Sequence, residues 1–69
     1  MTLPIELEQE DDGRWFGVVE ELPGVMAYGA TREEAVTATR ALALRVLADR
    51  IEQGEELPES LADFMVVRT

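Results

Sequence analysis

Apolar and polar residues alternate at the start of the chain, where Leu3, Ile5 and Leu7 are interleaved with Pro4, Glu6 and Glu8. Period two with one polar face predicts a half-exposed strand over 3–7. Asp12-Gly13 follows, two residues that both tolerate positive φ, and predicts a hairpin turn. Residues 14–19 (Arg-Trp-Phe-Gly-Val-Val) are apolar on both faces and predict a central strand covered on both sides. Leu22-Pro23-Gly24-Val25 has Pro to preset φ and Gly to accept φ > 0, which predicts a type II turn. A third strand is expected over 25–28.

Gly29-Ala30-Thr31 leads into a helix. Thr31 with Glu34 three residues on forms a capping box, and Glu33 and Glu34 also favour the positive end of the helix dipole. The run that follows is rich in Ala and Leu, good helix formers, until Gly54 stops it. The helix is expected over 32–53. Its apolar arc (Ala35, Val36, Leu42, Ala43, Leu44, Val46, Leu47, Ile51) spans roughly 200° of the wheel, about twice the minimum for a core-facing stripe. One sheet face cannot cover that much, so part of the helix is expected to meet another subunit. After a polar loop over 55–60, residues 63–67 predict a last strand, reached by a crossover and so parallel to a neighbour. The expected order is β-β-β-α-β: an α+β fold, one domain over 1–69, with one long helix layered on a mostly antiparallel sheet.

Size and composition sharpen the expectation of self-association. A chain of 69 residues buries only roughly 60% of its unfolded surface, so its core is marginal. Domains this small usually add disulfides, a metal or association. Without Cys or His there are no disulfides, thiolate metal sites or common zinc sets. A homo-oligomer, dimer or tetramer, is the remaining route.

The formal net charge is -9, from 15 acids against 6 cations, all arginine. Arg14, Arg32, Arg40, Arg45, Arg50 and Arg68 are scattered among carboxylates, so the clustered cations that phosphate neutralisation needs are missing and direct nucleic-acid binding is not expected. A basic protein partner fits the charge better. The N-terminus is acidic and lacks the cationic start of a signal peptide, and the apolar run near 41–44 is too short to span a bilayer. A cytoplasmic location away from membranes is expected.

Candidate chemistry is sparse. Nucleophilic catalysis needs Ser or Cys beside a base such as His, and the only serine, Ser60, falls in a loop. Gly24 and Gly29 flank a strand, the wrong context for a phosphate loop. Carboxylates at Glu6, Glu8, Glu34 and Asp63 are a conceivable Mg²⁺ set for phosphodiester hydrolysis. Alternating acids on a strand are more simply its solvated face, and Glu34 already has a capping role. Trp15, Phe16, Tyr28 and Phe64 are the only aromatics, and core packing of Trp15 or Phe16, with the other covered by a partner, accounts for the pair better than base stacking. No catalytic, metal or cofactor site is expected.

Asp11-Asp12-Gly13-Arg14-Trp15, then Glu20-Glu21-Leu22-Pro23-Gly24, then Gly29-Ala30-Thr31-Arg32-Glu33-Glu34-Ala35, and Gly54-Glu55-Glu56-Leu57-Pro58 after the helix, together resemble the HicB-like antitoxin family. The likeness covers almost the whole chain. It implies a partial ribonuclease H-like fold, oligomerisation, and sequestration of HicA, a small basic toxin that cleaves messenger RNA. It also implies that Gly13, Leu22, Pro23, Gly24, Gly29, Thr31 and Glu34 are architectural. Val25 stands where many relatives carry Cys, an apolar exchange. Many relatives add a C-terminal DNA-binding domain; this chain ends at Thr69 without one, so operon repression by it alone is not expected. The resulting expectation is a non-catalytic antitoxin-type domain that masks a basic toxin, with Glu6, Glu8, Glu20 and Glu21 as partner contacts. The alternative is a stand-alone oligomeric scaffold or small-ligand-binding module that has lost its toxin.

Overall fold

The computed structural model describes residues 3–57 and 68. Three strands, β1 (Glu6–Gln9), β2 (Trp15–Val18) and β3 (Met26–Gly29), are followed by helix α1 (Arg32–Glu52). The strands form an antiparallel sheet in the order β1-β2-β3, with α1 layered on one face. The class is therefore α+β. The expected last strand over 63–67 lies outside the described residues.

The β1–β2 hairpin departs from the expected Asp12-Gly13 turn. Only Gly13 has positive φ, at 94°. The Gly13 N–H donates to the Glu10 carbonyl at 2.9 Å and the Glu10 N–H to the Arg14 carbonyl at 2.7 Å. The loop is thus a three-residue connection with glycine in the left-handed position. Asp12 works through its side chain instead, accepting from the Arg14 N–H at 3.0 Å.

The Leu22-Pro23-Gly24-Val25 turn forms as expected. Gly24 has φ 89° and the Val25 N–H donates to the Leu22 carbonyl at 3.0 Å. Its flanks are the core: Leu22 and Val25, with Val19, are each 1% exposed. Each such side chain is worth about 1.5–3 kcal/mol in burial. Ala43 joins this cluster, with Leu3, Ile5, Leu42, Val46 and Leu47 packed around it.

Helix α1 begins where the capping box predicts. The Glu34 N–H donates to Thr31 Oγ1 at 3.1 Å, while Glu34 Oε2 accepts from the Ala30 N–H at 3.0 Å, one residue before the cap. Gln53 caps the far end, where Gly54 has φ 78° and the Glu55 N–H donates to the Arg50 carbonyl at 2.9 Å.

Where α1 crosses the sheet its buried residues are Ala35, Thr39 and Ala43. The first two lie against glycine. A Cβ on Gly17 would strike Thr39 Oγ1 and lie 3.1 Å from Thr39 Cβ; one on Gly29 would strike the Ala35 backbone nitrogen and lie 2.7 Å from the Glu34 carbonyl carbon. Thr39 Oγ1 donates to the Ala35 carbonyl at 2.7 Å, so its burial leaves no polar atom unmet. The larger apolar residues sit beside this contact line. Leu44 and Ile51 are 64% and 53% exposed, so the wide apolar arc is only partly used against the sheet.

Gly17→Ala and Gly29→Ala should each destabilise the domain by roughly 1–3 kcal/mol through overpacking. Urea unfolding should separate them. Adding Thr39→Ala should recover part of the Gly17→Ala loss, because the obstructing atom is a side-chain hydroxyl. No side-chain truncation should recover Gly29→Ala, whose nearest obstruction is helix backbone.

Candidate functional site

Strand alternation assigns the sheet faces. Gly17 faces the helix, so Arg14, Phe16 and Val18 face away from it. Register brings Glu6 opposite Val18 and Glu8 opposite Phe16 on one side, and Met26 opposite Val18 and Tyr28 opposite Phe16 on the other. The outer face therefore has an apolar centre of Phe16, Val18, Met26 and Tyr28, flanked along β1 by Glu6 and Glu8. No described element covers it. Among the described residues, the strand expected to be enclosed on both sides is covered by α1 on one. Phe16 and Val18 are half-buried, and Met26 and Tyr28 are 43% and 44% exposed.

The face is internally ordered. The Phe16 and Tyr28 rings stack tilted, with centroids 5.6 Å apart, and the Arg14 guanidinium sits 4.8 Å above the Tyr28 centroid. Arg14 also pairs with Asp12 at 3.1 Å and Glu10 at 3.7 Å. The one cation of this face is thus already occupied. The Arg14 backbone N–H and guanidinium hold the Asp12 carboxyl below its usual range, and the Glu10 carboxylate beside the Tyr28 hydroxyl raises that phenol.

Of the four acids expected to contact a partner, Glu6, Glu8 and Glu20 are brought together. Glu20 raises the Glu6 carboxyl above its ordinary value by like-charge repulsion and a hydrogen bond, with burial and Glu8 adding to the shift. Among the described residues no arginine lies against these three. Glu21 follows Glu20 in the turn, exposed, and strand alternation does not place it on this face. The architectural residues Gly13, Leu22, Pro23, Gly24, Gly29, Thr31 and Glu34 sit in turns, core and helix cap. Sequence reasoning left one of Trp15 and Phe16 to a partner without deciding which, and missed Val18, Met26 and Tyr28 as surface residues; the signal was the second apolar face of β2.

On the helix side of β1, an apolar groove of about 680 Å³ is walled by Ile5, Leu7, Val36, Leu44, Leu47 and Ile51. Among the described residues no three carboxylates converge to hold a metal ion, and no helix is long and apolar enough to cross a membrane. No protein-family model, curated protein or solved structure matches the chain.

The Glu6–Glu20 contact makes a pH prediction. A carboxyl whose folded pKa is raised adds stability below its ordinary pKa and loses it as pH rises through the raised value. In Glu20→Gln, carboxyl-carbon NMR should show the Glu6 midpoint moving down, and the stability lost across that interval should shrink.

Proposed function

We propose that this chain is a non-catalytic, HicB-like antitoxin-type domain that binds and masks a small basic mRNA-cleaving toxin. The observation that carries this reading is where the charge sits. Residues 3–31, which build the sheet layer, hold seven carboxylates against the single Arg14, while α1 holds four of each sign. The acidity is therefore concentrated on one layer, where it steers a basic partner and sets orientation. The motif match from Asp11 to Ala35 supports the family. The finer fold reading, a partial ribonuclease H-like β-β-β-α-β with 63–67 as a fourth strand, belongs to the same proposal, as does a cytoplasmic location. Co-expression with the small basic protein encoded next door tests it. The neighbour should arrest growth alone, and this chain should rescue growth and co-purify with it. A neighbour that is neither toxic nor retained removes the reading.

A second reading, a stand-alone oligomeric scaffold or small-ligand module, is favoured by the apolar groove, whose volume lies within the usual ligand-site range. Both readings include self-association through the helix ridge of Leu44 and Ile51. Light scattering at micromolar concentration should give a dimer or tetramer, shifted toward monomer by Leu44→Glu; a wild-type monomer contradicts it.

A further inference from the structure

We infer that the outer sheet face is a docking surface for a basic amphipathic helix of a partner protein. This deepens the protein-binding reading above by naming the surface and the chemistry of the segment it takes. The observations are the apolar centre (Phe16, Val18, Met26, Tyr28), which no described element covers, and the carboxylates Glu6, Glu8 and Glu20 along one flank of it. A contiguous apolar patch rimmed by charge marks an interaction site. The asymmetry of the rim specifies the occupant. Apolar residues occupy β2 and β3, and the unpaired acids line β1. A helix about 10 Å across covers two strands spaced about 4.8 Å apart, so it lies over β2 and β3. Cations on its side then reach β1. Glu6 and Glu8, two residues apart on a strand, are spaced about 6.8 Å, close to the 6 Å between i and i+4 on a helix.

A second copy of the chain fits poorly. In a two-fold face-to-face pairing, the β1 carboxylates meet either the partner's β1 carboxylates or the apolar residues of its β3. In neither do they meet a free cation, because Arg14 is engaged by Glu10, Asp12 and the Tyr28 ring.

The test uses the full chain and a defined probe, a synthetic Leu/Lys amphipathic helical peptide, with a Leu/Glu peptide of the same pattern as control. Amide NMR shifts on titration should map to Glu6–Gln9, Trp15–Val18 and Met26–Gly29. Val18→Lys should weaken binding at least tenfold, Thr37→Lys on the exposed side of α1 should leave it unchanged, and Glu6→Lys with Glu8→Lys, at exposed positions, should also weaken it at least tenfold. Shifts confined to α1, equal binding of the Leu/Glu peptide, or undiminished binding by the Glu6→Lys/Glu8→Lys chain overturns the inference. So does a wild-type oligomer that Val18→Lys dissociates, since a second copy then occupies the face. The neighbour-protein assay stands apart: its failure removes the antitoxin identity and leaves the peptide result as it is.

Discussion

The close approach of α1 to the sheet at Gly17 and Gly29 decides the arrangement of everything else. Helix backbone and the Thr39 side chain occupy the space that a Cβ would need at either position. Ala35 and Thr39 stand at these two approaches, and Thr39 is tolerated because its hydroxyl is satisfied within the helix. With Gly17 pinned to the helix side, strand alternation leaves Phe16 and Val18 no choice but the other face. The register then carries Met26, Tyr28, Glu6 and Glu8 with them. The outer face is thus a consequence of the tight inner one, and disturbing the glycines would disturb it without touching any of its residues.

Local features were legible in the sequence because their causes are local. Thr31 and Glu34 announce the helix start, Gly54 its end, and Pro23 with Gly24 the turn, each through backbone conformation or a hydrogen bond a few residues away. The Asp12-Gly13 pair announced a hairpin but not its type, since Asp12 acts by capping Arg14 rather than by adopting positive φ. What was not legible is non-local. Nothing near Gly17 says that Thr39, twenty-two residues later, will press on it; only packing does. The meeting of Glu6 with Glu20 likewise needs the hairpin to bring them together.

The outer face was misread for a reason that is itself informative. Residues 14–19 are apolar on both sides, and periodicity reports that a face is suited to cover without reporting what covers it. In the structure the described chain supplies one layer, and the same apolar signal remains as surface. The acids of β1 were read as the solvated side of a half-exposed strand, and that part holds. Their value lies in standing beside an apolar centre rather than in being exposed.

An uncovered apolar sheet face is a liability as well as a site, because copies of the same chain can stack on it. The flanking carboxylates act on both problems with one charge. Against a second copy they contribute repulsion or an uncompensated desolvation, and against a cationic helix they contribute attraction. Specificity is the difference between those two free energies, so a row of like charges widens it from both ends. The neutral charge balance of α1 on the opposite side gives no such discrimination. The partition of charge between the two layers therefore gives the two sides of the domain different responses to a charged surface.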